Sequence, residues 1–134
     1  MIIGVGTDIV SIGRIRASLE RHGEAFAERI LTGTELDEFR AVHDGARLLA
    51  KRFAAKEAFA KAFGTGLRPP VGFHAVGVGH DELGKPLFAL SAELGEILRL
   101  RGWRAHLSIS DEKEAVVAFA LIDGPDNPLP AEQK

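Results

Sequence analysis

The sequence predicts an α+β domain in which a mainly antiparallel sheet packs against one long central helix. Three features support this prediction. Residues 2–10 are rich in β-branched side chains, which is typical of a buried strand. Residues 45–63 contain seven alanines and neither glycine nor proline after the first position, which favours a long helix. Near the end of the chain, two strand-like stretches, 104–110 and 115–122, flank a polar turn at 111–114, as expected of an antiparallel pair.

Helix start and stop signals predict the elements that follow the first strand. Ser11 is placed to cap a helix that runs to about Arg21 and is stopped by Gly23. Two short helices are predicted next, one over 26–31 and one that begins at Thr34. The first strand is therefore followed by a run of helices rather than by a second strand.

Glycine and proline predict a loop over 64–72, between the long helix and an alternating stretch at 73–79. The turn at 81–86 leads into a second short strand. Ser91 then caps a helix that Gly102 terminates. Segregated helices and strands of this kind favour an antiparallel sheet over a parallel one.

Length and composition are those of an ordinary globular domain. The chain has 134 residues, 46% of them hydrophobic, and a formal charge of −2, which predicts one domain over 1–123 and a flexible tail over 124–134. The absence of cysteine excludes disulfides and thiolate metal sites. Neither a membrane span nor a signal peptide is predicted. With a pI near 6.2, we expect a cytoplasmic protein that binds neither nucleic acid nor membrane.

Asp8 is the first candidate functional residue. Side chains alternate along a strand, so Asp8 shares a face with Gly4 and Gly6. An acid beside two residues without side chains leaves room for an ion or a ligand to approach. The alternative is that Asp8 ends the strand or caps a following turn, and this segment alone does not distinguish the two.

The long helix carries basic side chains within an apolar face. At about 100° per residue, Arg52 and Lys56 project into the middle of an arc of leucine and phenylalanine side chains. Because an unpaired buried cation is costly, we expect these two to extend to solvent, pair with carboxylates, or contact an anionic ligand at a subunit seam. Residues 47–61 carry five cations and one acid, a local charge of +4. That charge is typical of a solvated face or of a phosphate site.

Glu57 and Lys61 lie one turn apart, in the order that favours an exposed helix salt bridge. The segment Gly64-Thr65-Gly66 that follows is a weaker signal. Glycine-rich backbone approaches phosphate closely, but a helix C-terminus repels anions and the spacing is not that of a P-loop. A helix stop is the simpler interpretation of these glycines.

His106, Ser108 and Ser110 share one face of the strand predicted at 104–110. This polar face either lines a site or is the solvated side of the sheet. The histidines are scattered along the chain, so a zinc site is not indicated. Carboxylates would then be the ligands of any bound metal, which favours Mg²⁺ or Mn²⁺.

Five segments carry a resemblance to a known family. They are GTDIVSIGR at 6–14, FAERILT at 26–32 with Glu35, RFAAKEAFAKAFGTG at 52–66, GKP at 84–86 and HLSIS at 106–110. In this order they resemble the holo-acyl-carrier-protein synthases, the small group of 4′-phosphopantetheinyl transferases. The resemblance extends over roughly residues 2–122.

The resemblance implies a reaction that moves the phosphopantetheine arm of coenzyme A to a serine hydroxyl of an apo acyl carrier protein, releasing adenosine 3′,5′-bisphosphate, as in fatty acid biosynthesis. It implies that Asp8 and Glu57 hold Mg²⁺ and that Lys61 binds a nearby phosphate oxygen, all three being catalytic. The implied coenzyme A contacts are Arg52, Lys56, Lys61, Gly64, Thr65, Gly66, Gly84, Lys85, Pro86, His106 and Ser110. The acceptor of the serine proton stays open between a carboxylate and a water at the metal.

The resemblance also implies partners. Arg14 and Arg21, with Arg16 between them, would form a basic docking patch for the acidic carrier protein, unless they are simply an exposed helix face. Members of this group are trimers with active sites between subunits. That arrangement would explain why Arg52 and Lys56 project from an otherwise apolar face.

One position departs from the family pattern. Asp111 follows the His-x-Ser-x-Ser strand, where many relatives have histidine, so no second histidine acts there. The competing hypothesis for the whole chain is a non-catalytic module that binds nucleotides or carrier proteins on the same scaffold. The presence of both Asp8 and Glu57 favours the enzyme, because a binding module does not need two metal ligands.

Overall fold

The structure, a computed structural model, describes residues 1–126. Its strands are β1 (Ile2–Ser11), β2 (Val76–His80), β3 (Pro86–Leu90), β4 (Arg104–Asp111) and β5 (Ala115–Asp123). Its helices are α1 (Ile12–His22), α2 (Glu24–Ile30), α3 (Gly33–Ala41), α4 (Gly45–Phe63) and α5 (Ala92–Arg101). Each predicted element is present, with its ends shifted by a few residues at most.

The strands of the described residues form two antiparallel sheets. In the first sheet β5 is central and pairs with β1 on one side and with β4 on the other. The hairpin of β2 and β3 is the second sheet. The predicted α+β class with antiparallel strands around a long central helix is therefore confirmed.

Helix α4 is central because its small side chains allow neighbours on most sides. All seven of its alanines are buried. The helix contacts β1 and β5 of the first sheet, β2 of the hairpin, and α1, α2 and α3. An alanine-rich helix contributes little side-chain volume, so the backbones of these neighbours come close to its axis.

Most helix ends lie where capping residues predict them. Ser11 caps α1 and Ser91 caps α5, and each side chain accepts a hydrogen bond of 3.2 Å from an amide of the first turn. Gly64 ends α4 with a left-handed φ of 100°, a conformation that glycine adopts without strain. Helix α3 begins earlier than predicted, because Thr32 rather than Thr34 caps it.

Helix α4 packs directly on β1 because two glycines of the strand have no side chain to separate them. A Cβ atom on Gly4 would lie 2.0 Å from Ala62 O, and one on Gly6 would lie 2.1 Å from Ala58 O. The interpretation that these glycines leave room for an ion or ligand is therefore wrong, since the helix backbone fills that space. They instead bring Asp8, on the same face of the strand, against the C-terminal half of α4.

The end of the described chain lies against its beginning. The amino group of Met1 donates a hydrogen bond to Gly124 O at 2.8 Å, and the Gly124 amide donates one to Met1 O at 2.8 Å. The predicted boundary at residue 123 stays a prediction, and residues 127–134 of the predicted tail lie outside the described residues. Among the helices of residues 1–126, none has the length and apolarity needed to cross a bilayer.

We expect Gly6→Ala to lower the free energy of unfolding by about 2 kcal/mol or more, because the new methyl group would overlap the α4 backbone. Gly79→Ala is the matched control, since it also lies in a strand but no atom of residues 1–126 would lie within 4 Å of its added Cβ. Its effect should stay within about 0.5 kcal/mol. Urea denaturation of both variants measures the difference. Equal midpoints for Gly6→Ala and the wild type would contradict the close packing of α4 on β1.

Candidate active site

The three residues predicted to be catalytic meet where β1 crosses the C-terminal half of α4. Lys61 Nζ donates a hydrogen bond to Thr7 O at 2.8 Å and lies 3.3 Å from Asp8 Oδ1. Glu57 lies one turn before Lys61 on the same helix. The helix salt bridge between Glu57 and Lys61 was the simpler expectation, but the ammonium contacts β1 instead. The structure thus brings Asp8, Glu57 and Lys61 together.

The pKa of Glu57 reports its surroundings. Burial raises this pKa above its ordinary value, the negative charge of Asp8 raises it further, and the positive charge of Lys61 lowers it in part. The carboxylates of Asp8 and Glu57 are therefore close enough to repel each other. A cation between two such groups relieves the repulsion and favours their ionised forms.

This donor set fits a small divalent cation that is completed by other ligands. Mg²⁺ is commonly held by one or two carboxylates, with water and substrate phosphates in the other positions. Asp8 and Glu57 supply that pair, and Asp8 is well shielded, with 16% of its side chain exposed. Within residues 1–126 no cluster of three or more His, Asp or Glu side chains is suited to hold a metal. The site therefore suits a cation that an anionic substrate helps to bind.

A second candidate region is a cleft of about 380 Å³ between the N-terminal half of α4, the β2–β3 turn and the end of β4. We call it the basic cleft. Its ionisable lining residues are Asp44, Arg47, Lys51, Arg52, His80 and Asp111, and its other walls include Gly84 and Pro86. Three of the predicted coenzyme A contacts, Arg52, Gly84 and Pro86, thus line one cavity.

The basic cleft and the carboxylate pair open on different sides of α4. Arg52 and Glu57 are five residues apart, which separates their directions by about 140° around a helix. Two groups of the predicted site residues are therefore separated in a single copy of the chain. One group surrounds Asp8, and the other lines the basic cleft.

Arg52 retains unused hydrogen-bonding capacity in the basic cleft. Its side chain is only 6% exposed, and Nη2 lies 3.6 Å from Glu38 Oε1, which is too long for a hydrogen bond. Neither Arg52 Nε nor Glu38 Oε1 has a hydrogen-bond partner within the described part of the chain. A buried donor without a partner is costly, so an anionic ligand in the cleft would be stabilised by this guanidinium.

Lys56 is a correction to the predicted coenzyme A contacts, because it belongs to the core. The side chain is fully buried, and Nζ donates hydrogen bonds to Glu35 Oε1 and Phe73 O, both at 2.7 Å. Burial lowers the pKa of Lys56, and the charge of Glu35 offsets part of that effect. Of the three alternatives for this cation, pairing with a carboxylate is the one that the structure shows.

Sequence reasoning missed the function of Glu35. Its Oε1 also accepts a hydrogen bond from the Thr32 amide at 2.9 Å, which completes a capping box, and its Oε2 accepts one from the Val78 amide at 2.8 Å. The Thr-x-x-Glu spacing was a readable signal for the capping box. Nothing local indicated that the same carboxylate would also join α4 and β2.

The other predicted coenzyme A contacts do not line the basic cleft. Lys85 lies on the turn between β2 and β3, and residues 64–66 follow the last turn of α4. His106 and Ser110 are exposed on the outer face of the first sheet, where His106 Nε2 lies 3.4 Å from Asp123 Oδ1. The polar face of β4 is therefore an exposed side of the sheet.

The family model described as the 4′-phosphopantetheinyl transferase superfamily matches residues 4–120. The chain belongs to this superfamily. Curated relatives named holo-[acyl-carrier-protein] synthase include one from Azoarcus sp. at 60% identity and one from Aromatoleum aromaticum at 58%. Each match covers 92% of this chain and 98% of the relative.

Solved structures agree with the sequence relatives. The crystal structure of holo-[acyl-carrier-protein] synthase from Neisseria meningitidis is 52% identical with a TM-score of 0.88, covering 92% of this chain and 99% of that one. A synthase from Bacillus anthracis, in complex with CoA (3′,5′-ADP), is 36% identical with a TM-score of 0.79, covering 93% and 99%. This phosphopantetheinyl transferase is thus an enzyme that transfers phosphopantetheine from coenzyme A to apo acyl carrier protein. The non-catalytic alternative is not supported.

The phosphopantetheinyl transferase exposes apolar side chains on the outer face of its first sheet. Ile9 is 72% exposed and Val5 53%, while Val117 and Phe119 are each 38% exposed. Ile9 lies opposite Val117 in the sheet, and Thr7 lies opposite Phe119, so these side chains form one patch. A contiguous apolar patch of this kind marks an interaction surface.

The predicted docking arginines differ in their availability. Arg14 and Arg21 lie on the exposed side of α1, and neither forms an ion pair with another of residues 1–126. Arg16 Nη2, in contrast, lies 3.3 Å from Asp44 Oδ1 at the start of α4. Two of the three arginines are thus free to contact a partner.

We expect Lys56→Met to lower the free energy of unfolding by about 3–5 kcal/mol, because it leaves the Glu35 charge buried without its partner. Lys61→Met on the same helix is the control. That side chain is 55% exposed, so the loss should be about 1 kcal/mol at most. Adding Glu35→Gln to Lys56→Met should recover part of the stability. Similar unfolding midpoints for the two single variants would show that the Glu35–Lys56 pair is not desolvated.

Proposed function

We propose that Asp8 and Glu57 hold Mg²⁺, or Mn²⁺ in its place, during the transfer, and that Lys61 binds a phosphate oxygen of coenzyme A beside them. The observations that carry this proposal are that the charge of Asp8 acts on Glu57 and that the Lys61 ammonium lies 3.3 Å from Asp8. When bound, the cation draws electron density from the pyrophosphate and offsets the charge of the leaving group. Residues of the chain bind and orient coenzyme A and stabilise the other charges of the reaction.

The chemistry exchanges one phosphorus–oxygen bond for another and removes the proton of the serine hydroxyl, which passes to a carboxylate or a water at the site. The serine oxygen of the carrier protein bonds to the phosphorus that carries the pantetheine arm. The bond from this phosphorus to the bridging oxygen breaks, and adenosine 3′,5′-bisphosphate leaves with the electron pair. A hydrogen bond of 2.8 Å to Thr7 O fixes the Lys61 ammonium. Its positive charge is therefore held where negative charge would develop on a pyrophosphate bound beside Asp8 and Glu57.

The basic cleft is the proposed site of the nucleotide end of coenzyme A. Arg52 supports this proposal, because its buried guanidinium has a donor without a partner in the described residues. Gly84 and Pro86 form part of the opposite wall. The cleft and the carboxylate pair open about 140° apart around α4. A coenzyme A molecule that uses both therefore contacts the cleft of one copy and the carboxylates of another.

The outer face of the first sheet is the proposed contact between copies, in a homotrimer of the kind that the family resemblance implies. Its exposed apolar side chains, Ile9, Val5, Val117 and Phe119, favour a protein partner. His106 and Ser110 are exposed on the same face. In an assembly both side chains would lie beside a neighbouring copy. They would then contact the coenzyme A bound to that copy.

The carrier protein is proposed to dock on α1. Arg14 and Arg21 are exposed there without intramolecular ion pairs among residues 1–126, and the carrier is acidic along the helix that presents its serine. Opposite charges of this kind raise the rate of association and fix orientation. We place the reaction in the cytoplasm, where it supplies holo carrier protein for fatty acid biosynthesis.

We expect Glu57→Gln to reduce the transfer rate about a thousandfold, because the loss of a metal ligand removes several kcal/mol of transition-state stabilisation. The assay incubates the enzyme with apo carrier protein, coenzyme A and Mg²⁺, and follows the phosphopantetheine mass gain of the intact carrier. Chelation should abolish the gain of the wild type, and added Mg²⁺ should restore it. Glu28→Gln, an exposed helical control, should leave the rate unchanged. Full activity of Glu57→Gln would remove Glu57 from the site.

Phe119→Asp should convert the trimer to monomers, because it places a charge in the contact between copies. Sedimentation velocity at micromolar concentration measures the assembly, and the transfer rate should fall with the loss of the trimer. Leu100→Asp on α5 is the control, since Leu100 is 70% exposed and lies outside the sheet face. A Phe119→Asp protein that is monomeric and fully active would refute the shared active site.

A further inference from the structure

Asp111 is an acid in a cavity whose other features favour anions. It ends β4 and lines the basic cleft, with 29% of its side chain exposed. Its Oδ2 lies 2.7 Å from Arg47 Nη1, and its Oδ1 lies 3.5 Å from Lys51 Nζ. One carboxylate therefore contacts two of the cations that an anionic ligand in the cleft would meet.

The charge of the cleft depends strongly on this residue. With His80 neutral, the lining contains three cations and two acids, Asp44 and Asp111, for a net charge of +1. Asp44 has a structural function, because it caps α4 by accepting a hydrogen bond from the Arg47 amide at 3.2 Å. Asp111 caps no helix. Its neutralisation would raise the net charge of the cleft to about +2.

Asp111 is ionised near neutral pH. Burial raises its pKa, but the hydrogen bond from Arg47 and the attraction of Lys51 outweigh burial and bring the pKa below its ordinary value. The carboxylate is therefore a permanent negative charge under the conditions in which the enzyme works. This negative charge repels an incoming phosphate group.

The two cations depend on Asp111 to different extents. Arg47 also donates hydrogen bonds to Glu112 O at 2.7 Å and to Lys113 O at 3.0 Å, so it stays in place without the acid. Within the described residues, the ion pair of Lys51 is the one with Asp111. Loss of the negative charge therefore frees the Lys51 ammonium and leaves the Arg47 guanidinium ordered. The freed Lys51 ammonium and the removal of the negative charge both strengthen the binding of an anion.

We propose that Asp111 is a built-in counter-ion of the basic cleft that weakens the binding of coenzyme A by competing for Lys51 and Arg47. This inference rests on the proposed placement of the nucleotide end in the cleft. Coenzyme A must displace an existing ion pair to reach these cations, so affinity is held below what the cleft would otherwise give. Release of the product adenosine 3′,5′-bisphosphate is helped by the same competition.

The test compares Asp111→Asn with Glu96→Gln. The first variant keeps the size and one oxygen acceptor for Arg47. The second neutralises an acid of α5 that pairs with Arg99 at 2.7 Å but does not line the cleft. Isothermal titration measures the Kd for coenzyme A of each intact enzyme with Mg²⁺ at 50 mM and 500 mM NaCl. Thermal unfolding reports the stability of each variant.

We expect Asp111→Asn to bind coenzyme A about fivefold more tightly at 50 mM NaCl, with the gain reduced at 500 mM because salt screens the repulsion. Glu96→Gln should bind like the wild type at both concentrations. A purely structural function of Asp111 would lower the unfolding temperature without a salt-dependent gain in affinity. Equal or weaker binding by Asp111→Asn at low salt would overturn the proposal.

Lys51→Gln identifies the cation through which Asp111 acts. In that background the gain from Asp111→Asn should fall to about twofold or less, because a freed Lys51 ammonium no longer contributes. An undiminished fivefold gain would overturn the competition for Lys51. Failure of the proposed placement has a different signature, since an Arg52→Gln enzyme that binds coenzyme A as tightly as the wild type would refute the nucleotide site in the cleft, whatever the affinity of Asp111→Asn.

Discussion

The packing of α4 on β1 without intervening side chains is the constraint on which the fold and the candidate site both depend. Gly4 and Gly6 permit it, because a Cβ at either position would overlap a carbonyl oxygen of the helix. The same contact sets the distance from Asp8 on the strand to Glu57 and Lys61 on the helix. Residues far apart in the sequence form a functional site only if the elements that carry them keep a fixed separation. Here the absence of two side chains sets that separation.

The basic residues of α4 have three different functions because the helix is nearly surrounded. Lys56 points to the core and is neutralised by Glu35, which links α3, α4 and β2. Lys61 lies at the surface, on the strand side, and contacts Asp8. Arg52 lines a cleft on another side of the helix and keeps a donor without a partner in the described residues. The helix therefore does not divide into one apolar face and one solvated basic face.

Local signals predicted most of the fold, and only part of the site. Strand alternation, serine caps and terminal glycines depend on residues within a few positions of each other, so the elements of the described chain followed from the sequence. The space beside Asp8 was misjudged, because the sequence does not show that a helix backbone occupies it. Lys56 was misassigned for a related reason, since its partner Glu35 lies 21 residues away and a third element completes the network. Pairing of this kind depends on tertiary packing.

The arrangement of charge suggests why such an enzyme would use neighbouring copies. A carboxylate pair and a basic cleft carry opposite charges, so they would attract and neutralise each other if they faced within one chain. Here they open on different sides of α4, so neither neutralises the other within one copy. The exposed apolar face of β1 and β5 provides the surface on which the copies would meet. In the proposed trimer, assembly would bring together the two halves of the site that folding keeps apart.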